Sequence, residues 1–136
     1  LAEETGFLAQ TELLTHRLGT TLHRLDITPT PLDLALHSVQ QNREVWRVDT
    51  LSELTGRSAR QIERAVMAQI GLPPKHLLRI LRVQSTIAAI HRAPLRSLVD
   101  VAAMLGYSDQ AHMNRDFRLL TGNTPAQYQL ALAQKA

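Results

Sequence analysis

Two clusters of side chains in this chain suit the edges of flat, polar heterocycles. The first is Arg60, Gln61, Glu63 and Arg64; the second is Gln110, Ala111, His112, Asn114 and Arg115. Arginine can donate two parallel bonds to guanine O6 and N7. Glutamine or asparagine can pair with adenine N6 and N7, and glutamate can accept from cytosine N4. A solvated helix face is the plain alternative for such residues, and Glu63 is the member it suits best. Arg57, Ser58, Lys75, Arg79 and Arg118 lie close in sequence to the two clusters or between them. Hydroxyl and cationic groups so placed are candidates for phosphate contact. Lys75, Arg79 and Arg82 follow an i, i+4, i+7 pattern and read as one solvated helix face, from which Lys75 and Arg79 could reach phosphate.

Other chemistry is weakly represented. His16, His23, His37, His76, His91 and His112 contain no pair four apart with an intervening glutamate, so no metal is expected. No Ser/His/Asp set, Gly-rich phosphate loop or carboxylate pair stands out, so neither catalysis nor a cofactor is expected. There are no cysteines, which excludes disulfides and thiol chemistry within these residues.

The two clusters belong to a repeat. Ile62, Arg64, Gly71 and Pro74 recur as Met113, Arg115, Gly122 and Pro125, each 51 positions on. Gly56 and Gly106 are only 50 apart, so the second copy has one more residue between its glycine and its arginine. Each copy reads as a helix-turn-helix. Small residues, Ser52 and Ala102, stand where two helices would cross, and glycine supplies a turn of positive φ. Leu51 and Leu54, then Val101, Met104 and Leu105, are expected to anchor the first helix of each pair. Ile62, Ala65 and Val66, then Met113 and Phe117, are expected to anchor the second.

The whole chain reads as helical. Leucines at three-, four- and seven-residue spacings suggest an amphipathic segment over 3–25, read first as core-facing and second as a dimer contact. Thr30-Pro31-Leu32-Asp33 starts a helix running to about Asn42. Helices are expected at 48–55 and 59–70, then a linker helix from Pro74 to about His91. Ser97 to Asp100 looks like a capping box for a helix at 98–105. Asp109 or Ser108 should cap a helix at 110–120, and Thr124-Pro125 opens the last one. The linker helix carries Leu77, Ile80, Leu81, Val83, Ile87 and Ile90, enough to serve both copies. Its length of ~27 Å, at ~1.5 Å per residue, approaches the ~34 Å of one DNA turn.

Charge follows the repeat. The formal net charge is +3, but residues 1–42 carry −3 and residues 43–136 carry +6. The basic part is the repeated part, which fits a polyanionic partner. Only five aromatic residues are present, which disfavours a stacking platform for single strands. No run of eighteen apolar residues suggests a membrane span, and the expected location is the cytoplasm. A start at Leu1 suggests a fragment or a processed product.

Residues from about 31 to 128 resemble the DNA-binding domain of the AraC/XylS family of bacterial regulators. The resemblance rests on Leu51-x-x-Leu-x-Gly-x-Ser-x-Arg-Gln-Ile-x-Arg, Gly71-x-Pro-Pro-Lys and Arg79-x-x-Arg-x-Gln. It rests also on Gly106-Tyr-Ser-Asp-Gln-Ala-His-Met-x-Arg-Asp-Phe-Arg and Gly122-x-Thr-Pro-x-x-Tyr128. It implies an all-α fold of seven helices: helix-turn-helix 1 at about 48–70, a linker helix at about 74–91 and helix-turn-helix 2 at about 98–121, within a domain at 29–136. Residues 1–28 would then end a preceding sensory or dimerisation domain. The implied partners are double-stranded DNA at an asymmetric promoter site and RNA polymerase. The implied outcome is transcription control, more often activation, with any effector bound in a domain outside this chain. By position, Arg60, Glu63 and Arg64 match base readers of the first helix, and Gln110, Ala111, His112, Asn114 and Arg115 those of the second.

Two positions depart from the family pattern. Val66 stands where phenylalanine is usual, followed by Met67 and Ala68 in place of basic residues. Arg47 stands where threonine or serine usually caps. The second copy is therefore expected to dock more conventionally than the first. A second reading makes the domain a protein-interaction module with an incidental basic face.

Overall fold

Several helix starts in this chain are written in side chains that replace missing backbone partners. Ser58 Oγ accepts from Gln61 N–H at 3.3 Å while Gln61 Oε1 accepts from Ser58 N–H at 2.9 Å. Asp109 Oδ1 accepts from His112 N–H at 2.6 Å. Thr124 and Gln127 exchange the same reciprocal pair of bonds, at 3.2 and 2.8 Å. Helix stops are written in glycine: Gly71 and Gly122 both adopt φ +79°, with N–H groups bonded back to Met67 O and Arg118 O.

Seven helices occur among the residues described by the computed structural model, 28–42 and 46–135, and two of them start without such a cap, after Arg47 and after Pro73. The seven are α1 (Pro31–Asn42), α2 (Val48–Thr55), α3 (Ala59–Ile70), α4 (Pro74–Arg92), α5 (Leu98–Met104), α6 (Gln110–Thr121) and α7 (Pro125–Lys135). No strand occurs among the described residues. The chain divides into Leu1–Thr30 and Pro31–Ala136, and every helix above lies in the second unit. The amphipathic segment expected at 3–25 falls outside the described residues.

Helices α2 and α3 form the first helix-turn-helix; α5 and α6 form the second. The first core gathers Leu32, Ala35 and Val39 of α1 with Trp46, Leu51, Ile62, Val66, Leu77 and Leu78. The second has two adjoining clusters. Ala89, Val101, Ala102, Leu105, Tyr107 and Met113 make one; Val83, Ile90 and Phe117 make the other. Tyr128 of α7 packs edge-on against Phe117, with ring centroids 5.7 Å apart, and bonds His91 Nε2 through its hydroxyl at 2.7 Å. Gln129 Nε2 donates to Pro94 O and Arg96 O at 2.6 and 3.0 Å, closing the α4–α5 connection onto α7.

Two local expectations need correction. Leu54 is not a core anchor, since half its surface (51%) meets solvent; Leu51 alone of that pair is fully buried. An α2 of only eight residues turns one narrow stripe inward. The start of α5 is not a capping box with Asp100. Ser97 Oγ accepts from Val99 N–H, one residue short of the box position.

Phe117 is fully buried where two helices and α7 meet. Phe117→Ala should lower unfolding free energy by ~3–5 kcal/mol through lost burial and a residual cavity. Gly122→Ala should cost ~1–2 kcal/mol, because its Cβ meets open space and only the left-handed backbone is penalised. Urea titration of each variant checks both values, and a neutral Gly122→Ala would contradict the backbone argument.

Candidate nucleic-acid interface

The caps fix where α3 and α6 begin, and so which residues leave the core. On α3, Ile62 and Val66 are fully buried, four apart. Arg60, Gln61, Glu63 and Arg64 therefore face outward, and all four are exposed. On α6, Met113, Asp116 and Phe117 point inward. Ala111, Arg115 and Arg118 are exposed, while Gln110, His112 and Asn114 are half-buried. Both predicted clusters thus lie on accessible helix faces, though the second is set deeper.

Several expected site residues are already engaged. The Gln61 carbonyl is committed to the Ser58 N–H, which leaves its NH2 group as the free end. His112 sits between Ser108 Oγ, 3.2 Å from Nδ1, and Asp116 Oδ2, 3.4 Å from Nε2. Its ring also meets the Tyr107 ring edge-on at 5.2 Å. Arg79 Nε lies 3.3 Å from Asp116 Oδ1 and is only partly exposed. Arg57 is half-buried; Ser58, Lys75 and Arg118 are exposed.

The basic face read from Lys75, Arg79 and Arg82 is not uniformly solvated. Arg82 turns between the two halves of the domain. Its Nη2 donates to Trp46 O at 3.2 Å, and its guanidinium carbon lies 6.0 Å from the Trp46 ring centre and 4.9 Å from that of Tyr107. Burial pulls the Arg82 pKa below its ordinary value, against the raising influence of Tyr107 and Asp116. Burial likewise pushes the Tyr107 phenol upward, against the hydrogen bond with Thr86 and the nearby guanidinium, so it stays a neutral hydroxyl at physiological pH. That hydroxyl lies 3.4 Å from Thr86 Oγ1, which also donates to Arg82 O at 3.0 Å. A cleft of about 430 Å³ opens beside this cluster, lined by Arg47, Asp49, Lys75, Arg79, His112 and Asp116 among others.

Sequence reasoning missed this cluster, and two signals were available. Asp116 sits three residues after Met113 and beside Phe117, on the buried side of a helix, so it needed a cationic partner. The second copy is longer by one residue before its recognition helix. One residue separates Gly56 from the cap Ser58, and two separate Gly106 from the cap Asp109. The longer turn brings in Tyr107, which is 6% exposed.

Residues 51–131 match a helix-turn-helix domain family, which is more than half of the chain. The F1 operon positive regulatory protein of Yersinia pestis is 29% identical over 83 residues, covering 61% of this chain and 27% of that protein. This chain spans about a third, or less, of the length of the curated relatives it matches. The DNA-binding domain of AdpA, solved in complex with a target DNA, superposes with a TM-score of 0.70 at 23% identity, covering 79% of this chain and 96% of that one. An AraC-type regulator from Chromobacterium violaceum gives 0.67 at 23% identity, covering 78% and 95%. The doubled motif, the shared fold and the family match agree: the chain belongs to the AraC family and carries its helix-turn-helix DNA-binding domain.

Proposed function

We propose that this chain is the DNA-binding part of a transcription regulator, an activator, that lays α3 and α6 in successive major grooves of one asymmetric duplex site. One observation carries the reading: two capped helices each expose an arginine-bearing polar face while sharing the single helix α4. The 19 residues of α4 span ~28 Å, close to the ~34 Å between successive major grooves on one side of a duplex. The +6 charge of residues 43–136 supplies the attraction to phosphate.

In this reading Arg64 and Arg115 are the principal base readers, since both are exposed. Arg60, Glu63 and the Gln61 amide complete the first set. Gln110, Ala111, Asn114 and His112 complete the second, with His112 held by Asp116 and Ser108. Ser58, Arg57, Lys75 and Arg118 contact phosphate, and Arg79 does so only with the edge that Asp116 leaves free. Activation follows the regulator of Yersinia pestis, whose name describes positive control. RNA polymerase is the further partner, and any effector binds outside the described residues. A protein-facing role has its own support in the exposed Leu95, Val99 and Leu130 of the second half, which suit a protein contact made while DNA is bound.

Selection from a randomised duplex pool should yield one asymmetric site. On that site Arg64→Ala and Arg115→Ala should each cost ~1–3 kcal/mol and relax preference at different half-sites. Relaxation at the same half-site, or none, would remove the two-reader assignment. Affinity should fall as salt rises, with a log–log slope of about −0.9 per phosphate contacted, and Arg118→Ala should make that slope shallower by about 1. A flat salt response would instead favour the protein-interaction reading.

A further inference from the structure

We propose that Arg82 is a positioning residue that sets which spacing of two DNA half-sites the domain accepts, by locking one helix-turn-helix to the other through the Trp46–Arg82–Tyr107 stack. The inference rests on the two-groove reading above.

Arg82 belongs to the helix shared by both halves and touches each of them. Toward the first half it donates to Trp46 O and lies by the indole; Trp46 is itself 5% exposed and part of the first core. Toward the second half it lies on the ring of Tyr107, in the turn that precedes α6. Thr86, fully buried one turn further along α4, holds the Tyr107 hydroxyl. Arg79, on the preceding turn of α4, pairs with Asp116 of α6. The turn before α6 and α6 itself are therefore pinned to one face of α4, and the approach to α2 is pinned to the same face.

The energetics favour a geometric role over a stabilising one. Burial lowers the Arg82 pKa, and its Nε is buried with no hydrogen-bond partner among the described residues. A guanidinium held this way loses hydration that is only partly offset by one carbonyl, two rings and a nearby carboxylate. An unbranched apolar side chain could fill the same space at lower cost. What it could not supply is a planar, directional group satisfied by only a narrow range of ring and carbonyl positions. Such a restriction fixes the angle and offset between the two halves.

DNA makes that restriction measurable. One base pair inserted between half-sites moves the second by ~3.4 Å and rotates it by about 35°. A rigid pair of readers cannot follow, whereas a loosened pair can. The test uses the 136-residue chain and the duplex recovered by selection, with versions carrying one base pair more or fewer between half-sites. The wild-type protein should lose at least about tenfold in affinity on either change, the scale of misreading a base pair, and Arg82→Met less than about threefold. Arg82→Met should keep a melting temperature close to the wild type. Arg82→Lys, which keeps charge and stem without the planar fork, should also be tolerant of spacing and serves if the methionine variant does not fold.

Because the chain has no cysteines, Gln69→Cys with Leu119→Cys gives one spin-label pair at exposed positions near the ends of α3 and α6. Its distance distribution should broaden in Arg82→Met without DNA. A folded Arg82 variant as strict about spacing as the wild type, or with an unchanged distance distribution, overturns the positioning role. Indifference to spacing in the wild type itself would overturn the two-groove reading, which separates the two failures.

Discussion

Everything in this domain depends on one helix belonging to two cores at once. Leu77 and Leu78, near the start of α4, are buried in the first half; Val83, Ala89 and Ile90, further along, are buried in the second. Each half has too few helices to bury a sufficient core by itself. Sharing α4 solves that problem and creates another. A helix is stiff along its axis, but the side chains between two cores still decide how each half is rotated about it. The mid-section of α4 is therefore where small changes in packing have large geometric consequences.

That mid-section is polar. Arg79, Arg82 and Thr86 occupy successive turns, and each engages a group contributed by another part of the domain. Apolar contacts are non-directional and tolerate sliding, whereas a stacked guanidinium, a charge-assisted bond and a hydroxyl pair each prescribe an angle. The buried carboxylate of Asp116 ties this set to the recognition helix, and the same carboxylate holds the half-buried His112 one turn earlier on that face of α6. Packing at the centre of the domain and chemistry at its surface thus meet in one residue.

The two halves share a plan but not an energetic basis. The first is filled by Val66 where the second has Phe117, and Tyr128 of α7 adds an aromatic edge only to the second. The first turn is shorter, and its cap Ser58 holds Gln61 close; the second is longer and buries Tyr107. The extra residue between Gly106 and Arg115 is not slack. It supplies the ring on which Arg82 rests.

The sequence by itself determined the helices and the order of parts. Caps, glycine stops and the four-residue spacing of Ile62 and Val66 are local signals, acting within a turn or two, so their outcome is readable without knowing what packs where. The outward direction of Arg60, Arg64 and Arg115 followed from the same periodicity. Tertiary structure alone decided what became of residues whose partners are distant in sequence. Trp46 and Arg82 are 36 positions apart, and Thr86 and Tyr107 are 21 apart. No periodicity encodes such pairs. Leu54 shows the converse, an apolar residue at a core-like position that α2 is too short to turn inward. Arg82 read as a solvated member of a basic face because spacing reports which side of a helix a residue occupies. It does not report what covers that side, and here two aromatic rings from the two halves do.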